Sequence, residues 1–189
     1  MFKRLLLLSL FSLSACSSHA QPTVMAWPEF SCSDNAVVIT FVDLNVCTKA
    51  STYSKVEVLA GATPTIVFEQ NGTDFNALSY EPAEKALSGL PSRIQAESPR
   101  QALDALFSWR DSSNLSPKQQ AFLQVFGIEA QTQLMQFTNG NMTAYVRLNE
   151  GAADNTIFMI VGNSSNVYRV IGNFSSADVQ QWLSLLNVN

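Results

Sequence analysis

The strongest constraint on the fold is a pair of β-hairpin signals in the second half of the chain. Asn139-Gly140 separates QLMQFT from NMTAYV, and this dipeptide is the strongest short-range signal for a hairpin turn. A second hairpin joins 156–161 to 167–171 through a turn rich in Gly, Asn and Ser. Residues 157–161 are all apolar, which is typical of a central strand covered on both faces. Residues 133–171 therefore predict a β-meander.

Further strands and three helices are predicted around this meander. The strands are expected at 36–42, 55–59 and 65–69. Two helices begin at Ser98-Pro99 and Ser116-Pro117, where Ser can cap backbone N–H groups and Pro occupies the first helical position. A third helix begins after Ser175, and its apolar stripe is Val179, Trp182, Leu183 and Leu186. This order predicts an α+β fold in which the two central helices and the C-terminal helix pack on one face of an antiparallel sheet.

The first fifteen residues have the pattern of an export signal. Lys3 and Arg4 precede a nine-residue, nearly unbroken apolar run at 5–13. Such a run is too short to cross a bilayer, which requires about twenty residues. A basic start, a short apolar run and then small residues are typical of a secretory signal peptide.

The segment that follows, Leu13-Ser14-Ala15-Cys16, resembles the lipobox of bacterial lipoprotein precursors. The resemblance implies that the Cys16 sulfur receives a diacylglyceryl group, that residues 1–15 are removed, and that the new amino terminus is acylated. Two or more acyl chains anchor a protein stably in a membrane. Residues 16–30 would then be the lipidated cysteine and its tether. In such lipoproteins, an Asp directly after the cysteine tends to retain the protein at the inner membrane. Here that residue is Ser17, so the resemblance implies the periplasmic face of the outer membrane.

The composition of the processed chain limits its partners. Removal of 1–15 leaves 174 residues, with 9 basic and 15 acidic side chains. This length suits a single α+β domain at 31–189. No basic cluster is present, which argues against nucleic acid as a partner and against charge-driven membrane binding. Attachment to the membrane is therefore expected through the lipid on Cys16.

With Cys16 assigned to the lipid, Cys32 and Cys47 are left as the only possible disulfide pair. A bridge that closes this fifteen-residue loop stabilises a fold by about 3 kcal/mol in the chain-entropy model. Because a strand is predicted between them, the chain must turn near 33–35 and again near 43–45 to bring the sulfurs together. Two buried free thiols are the alternative.

No motif for catalysis, for a metal or for a cofactor is found in the sequence. The sole histidine, His19, lies in the tether, which argues against His-based triads and His-containing metal sites in the domain. Acidic pairs are the remaining catalytic candidates: Glu81 with Glu84, and Asp104 with Asp111. The first pair brackets a possible helix start, where acidic residues favour the helix dipole, and the second pair is expected to face water. No cofactor is predicted.

The region from residue 133 to residue 189 is depleted in charge. Its 57 residues contain only five charged side chains, which are Arg147, Glu150, Asp154, Arg169 and Asp178. One interpretation is a neutral, solvated sheet surface. The other is a binding face, because neutral polar and aromatic surface is desolvated at lower cost than charged surface. In that case Tyr145 and Tyr168 are the expected contact residues.

These observations predict a non-enzymatic lipoprotein, anchored in the cell envelope, whose domain contacts another envelope protein. A module that binds a small molecule or a glycan is the first alternative, and it requires a pocket with convergent polar groups. A hydrolase that uses a carboxylate pair is the second alternative.

Overall fold

The computed structural model describes residues 24–48, 55–70, 74–81, 98–109, 115–125, 127–129, 131–149, 151–162 and 167–188. Cys16, the predicted signal peptide, His19, Glu84 and Asp111 lie outside these residues.

The described residues form a sheet-dominated α+β fold, as the sequence predicts. The first six strands are β1 (Val24–Ala26), β2 (Val38–Phe41), β3 (Leu44–Cys47), β4 (Lys55–Leu59), β5 (Thr65–Gln70) and β6 (Asp74–Glu81). Two helices follow, α1 (Pro99–Trp109) and α2 (Pro117–Val125). The second half contains β7 (Gln133–Thr138), β8 (Met142–Leu148), β9 (Asn155–Val161), β10 (Val167–Gly172), α3 (Ser176–Ser184) and β11 (Leu186–Val188).

The predicted meander is the centre of an eight-stranded sheet. The strand order is β1-β7-β8-β9-β10-β6-β5-β4, and every neighbouring pair is antiparallel except β1 with β7. The β7–β8 hairpin is present, with Gly140 at a φ of 86°. Asn139 accepts the N–H of Met142 through its side-chain oxygen at 2.8 Å, so it precedes the turn and Gly140 is the first central residue.

A second sheet of three strands, in the order β11-β3-β2, was not predicted. Side chains alternate along a strand, so the eight-stranded sheet has two faces, which we call front and back. On β8 the front face carries Met142, Ala144, Val146 and Leu148, and the back face carries Thr143, Tyr145 and Arg147. The front-face residues share one core cluster with β3, β11 and α3, whereas Tyr145 belongs to a separate cluster with α1 and α2.

The expectation that all three helices pack on one face is therefore wrong. Helix α3 covers the front face, where Trp182 makes an edge contact with Phe68 at 4.4 Å, and α1 and α2 cover the back face. The physical reason is that β8 and β9 are buried along nearly their whole length, so each of their faces needs a covering layer. A helical stripe predicts which side of a helix is buried, but not the face of the sheet against which it packs.

The predicted pairing of Cys32 with Cys47 is present, with a Cα–Cα distance of 5.7 Å. The chain reverses twice to allow it. The N–H of Ala36 donates to Ser33 O at 2.8 Å in the first turn, and β2 returns as β3 through Val42 and Asp43 in the second. The predicted single strand at 36–42 therefore ends one residue early, at Phe41.

The predicted helix caps are also present. The side-chain oxygens of Ser98 and Ser116 each accept a backbone N–H three residues later, at 3.3 Å. At the start of α3, the N–H and the hydroxyl of Ser175 both donate to Asp178 Oδ2, at 2.8 and 2.7 Å. Asp178 also lies where a negative charge stabilises the helix dipole.

Candidate functional site

Tyr145 lies inside the molecule, on the back face of the sheet. Its side chain has no exposed surface, and its ring makes an edge contact with Phe107 of α1 at 5.2 Å. The phenolic hydroxyl donates to Asp104 Oδ1 at 2.5 Å. Burial raises the pKa of Tyr145, and the hydrogen bond to the Asp104 carboxylate raises this pKa further, so the phenol is neutral at physiological pH.

The position of α1 on the back face is set by a match between helix and strand spacing. Arg100 and Asp104 are one helical turn apart, and Thr143 and Tyr145 are two strand positions apart; both separations are about 6–7 Å. Arg100 Nη1 donates to Thr143 Oγ1 at 2.8 Å, in parallel with the Tyr145–Asp104 bond. This polar group of four side chains fastens α1 to β8, and it gives Asp104 a structural role.

Tyr168 is equally buried, on the front face. Its phenolic oxygen lies within hydrogen-bond distance of the Asp43 carboxylate and 3.3 Å from the carbonyl oxygen of Phe41, and it accepts the N–H of Asp43 at 3.3 Å. Burial raises the pKa of Tyr168, and so does the hydrogen bond to Asp43. The ring packs between Phe41 and Tyr80, at 6.1 and 5.6 Å. Tyr168 thus holds the tip of the β2–β3 hairpin.

The prediction that Tyr145 and Tyr168 are outward contact residues is therefore wrong. The meander is covered on both faces, so its low charge reflects the cost of burying ionised side chains. A sheet that is covered on both faces and a sheet with a neutral binding face show the same charge depletion in the sequence. Only the tertiary structure distinguishes these two kinds of sheet.

The exposed apolar surface of the described residues lies elsewhere, and a large part of it belongs to the β2 edge, which we define as residues 37–42. β2 is the last strand of its sheet. Val37, Val38 and Val42 are 66%, 47% and 52% exposed, and no charged residue occurs in the segment. Ile39 and Phe41 alternate with the exposed positions, and Phe41 is buried. The edge therefore presents valine and threonine to solvent.

The backbone of β2 is oriented for a further strand. In an antiparallel pair, successive residues direct their N–H and C=O groups alternately toward and away from the partner. Val37 O accepts the N–H of Thr48 at 3.0 Å, so Val37 points toward the β3 side. The N–H of Cys47, opposite Val38, donates to Leu185 O at 2.9 Å on the other side of β3. Val38 and Thr40 therefore direct their backbone groups toward the open side of the sheet.

Val42 has an unusual backbone conformation at the tip of this hairpin. Its φ is 63°, and it is the one non-glycine residue with positive φ in the part of the chain that the structure describes. A two-residue hairpin turn of this kind normally has Gly at this position. A β-branched residue here is strained by about 1–3 kcal/mol. Sequence reasoning placed residue 42 in a strand, because valine in a turn is contrary to its propensity.

A small pocket of ≈ 190 Å³ lies where β8 and β10 end and α3 begins. Its lining is uncharged and includes Gln133, Asn149, Asn155, Asn173 and Ser175. The most buried of these, Asn155, uses both side-chain atoms: it accepts the N–H of Asn149 and donates to Phe174 O, both at 2.8 Å. The pocket is smaller than most small-molecule sites, which occupy about 300–1,000 Å³.

Among the residues that the structure describes, no group of three or more His, Cys, Asp or Glu side chains converges as metal ligands would. None of the described helices has both the length and the apolar character needed to cross a bilayer. Comparison with protein-family models and with curated proteins found no match to this sequence.

Proposed function

We propose that this chain is a lipoprotein of the bacterial outer membrane, anchored through Cys16, and that its domain is a non-enzymatic module that binds a protein through the β2 edge. The observation that carries the proposal is Val42. It combines backbone strain with an exposed apolar side chain, and both are unfavourable in the isolated domain. A partner that covers Val42 accounts for its presence.

The expected mode of binding is strand addition, in which an extended segment of the partner pairs with an exposed sheet edge. The outward N–H and C=O groups of Val38 and Thr40 supply the backbone contacts. The exposed side chains of Val38 and Val42 supply apolar area next to them. Tyr168 contributes indirectly, because its bonds to Asp43 fix the hairpin that presents Val42.

The proposed anchor restricts where the partner is located. Seven residues separate Cys16 from Val24, the first residue of β1, so the link spans at most about 27 Å. The first strand of the domain then lies within this distance of the membrane surface, so a partner of the domain is expected in the envelope. Metabolic labelling with a fatty-acid analogue tests this step. The label is expected on the wild type and is lost in Cys16→Ala, and label that persists in Cys16→Ala contradicts the anchor.

Site-specific photo-crosslinking in intact envelopes tests the binding surface. A photoreactive amino acid is placed at Thr40 or Val42 of the full-length protein, and at Val58 as the control. Val58 lies on the edge strand β4 and is 53% exposed, similar to Val42. We expect protein adducts from positions 40 and 42 and not from 58. Absence of adducts at 40 and 42, or equal adducts at all three positions, contradicts the proposal.

A second candidate function, binding of a small neutral ligand such as a short glycan, is supported by the uncharged lining of the pocket beside α3. Neutral oligosaccharides are expected to raise the Tm of the wild type if this function is correct. Gln133→Ala is expected to reduce that shift, because Gln133 is an exposed polar group of the lining. No shift with any oligosaccharide contradicts this candidate.

A further inference from the structure

We infer that the partner at the β2 edge is a second copy of this chain, with the two β2 strands antiparallel about a twofold axis at Thr40. This inference rests on the proposed function, because it assigns an occupant to the same surface. The two three-stranded sheets then become one six-stranded sheet in the order β11-β3-β2-β2-β3-β11.

The alternation of side chains along β2 is self-complementary about Thr40. Residues directly opposite each other in an antiparallel pair lie on the same face of the sheet. An axis at Thr40 brings Val38 beside Val42 of the second copy, the exposed turn residue that follows β2, so an exposed valine from each copy lies on each side of the axis. Ile39 lies opposite Phe41 of the second copy, and both of these face inward.

The backbone direction fits the same register. Thr40 directs its N–H and C=O toward the open side of the sheet, since the groups that pair with β3 belong to alternate residues. Thr40 and Thr40 of the second copy therefore form a hydrogen-bonded pair that exchanges two N–H···O=C bonds. Threonine opposite threonine is also a favourable cross-strand pair.

Charge favours the β2 edge over the other sheet edges as the place where a second copy binds. The processed chain has 15 acidic and 9 basic residues, so two copies repel each other over much of their surface. The β2 edge carries no charge. β4, by contrast, carries the charged residue Glu57 within the strand, whereas β2 carries none. The other two edge strands, β1 and β11, have three residues each.

Cysteine crosslinking tests the register directly. In a hydrogen-bonded antiparallel pair the Cα atoms are about 5.5 Å apart, within the range for a disulfide. We therefore expect Thr40→Cys, in full-length protein in isolated envelopes, to form a disulfide-linked species of twice the monomer mass under mild oxidation. Val58→Cys is the matched control and is expected to stay monomeric. A dimer yield at position 40 no higher than at position 58 overturns the inference.

Co-purification of two differently tagged copies from detergent extracts tests the contact without new cysteines. We expect the wild-type copies to co-purify and Thr40→Pro to reduce this by about tenfold or more, because proline removes one outward N–H and obstructs the approaching strand. We expect the fold to tolerate proline there, since the Thr40 N–H does not pair with β3. Thr40→Val keeps the N–H and the β-branched shape, and is expected to co-purify as the wild type does.

The two proposals fail differently. If Thr40→Pro abolishes photo-adducts to another protein while tagged copies never co-purify, the interaction surface stands and the second copy is overturned. If positions 40 and 42 give no adducts and the copies do not co-purify, both are overturned. If the copies co-purify equally in wild type and Thr40→Pro, a dimer forms through another surface and the inference is overturned.

Discussion

The front and back faces of the eight-stranded sheet each bury a tyrosine–aspartate contact, but the two contacts hold different kinds of structure in place. On each face, a fully buried tyrosine hydrogen-bonds to an aspartate in the covering layer, Tyr168 to Asp43 in front and Tyr145 to Asp104 behind. Behind, the aspartate belongs to a regular helix, and Arg100 makes a second polar contact to the sheet one turn away. In front, it belongs to a hairpin turn beside the strained residue Val42. The back contact holds α1 against the sheet. The front contact holds the β2–β3 hairpin against the sheet and also fixes its exposed turn.

The largest effect is expected when a charge replaces either tyrosine. Tyr145→Glu and Tyr168→Glu place a carboxylate in a fully buried position beside an aspartate. We expect each to lower the free energy of unfolding by about 4 kcal/mol or more. Chemical denaturation measures this. The exposed control Val58→Glu is expected to change stability by less than about 0.5 kcal/mol, and equal stability of all three variants contradicts the burial of the tyrosines.

The disulfide is expected to stabilise the front layer selectively. Replacing Cys32 and Cys47 together by Ser removes the loop closure and lowers stability by about 3 kcal/mol. Hydrogen exchange is expected to accelerate most in β2 and β3, since the bridge ties this hairpin to the preceding segment, and least in α1. Uniform acceleration through both layers would show that the two faces are not separate units.

The two tyrosine hydroxyls are expected to contribute different amounts to the free energy of unfolding. Tyr168→Phe leaves the half-buried Asp43 carboxylate without its phenol and costs about 2 kcal/mol. Tyr145→Phe costs about 1 kcal/mol, because Asp104 is exposed and water replaces the lost bond. Only Tyr168→Phe is expected to weaken crosslinking from position 42, since it alone releases the hairpin. A larger stability loss for Tyr145→Phe reverses the comparison.

The smallest expected effect has the opposite sign. Val42→Gly removes the strain of a β-branched residue at a φ of 63° and is expected to raise stability by up to about 1 kcal/mol, while weakening partner binding. Val38→Gly is the matched control on the same strand, because Val38 has no positive φ. It is expected to lower stability by about 0.5–1 kcal/mol. If Val42→Gly is both more stable and fully competent to bind, strain at the tip has no connection with function.

Much of the fold followed from local sequence signals. Gly140 marks a hairpin because of its conformational freedom, and Ser175 with Asp178 marks a helix start through capping; both features are present. The pairing of Cys32 with Cys47 followed from counting, and the turns it required are near the predicted places. These features depend on residues that are at most about fifteen positions apart, so their chemistry is readable along the chain.

The sequence alone therefore determined the meander, the helix starts, the α+β class and the covalent bridge. The tertiary structure decided which face each helix covers, that Tyr145 and Tyr168 lie inside, and that Val42 is strained and exposed. The Tyr168–Asp43 contact joins residues 125 positions apart, and no local pattern specifies it. An apolar or neutral strand has the same alternation whether a helix, a second sheet or a partner covers it, so only the packed layers reveal which surface is left open.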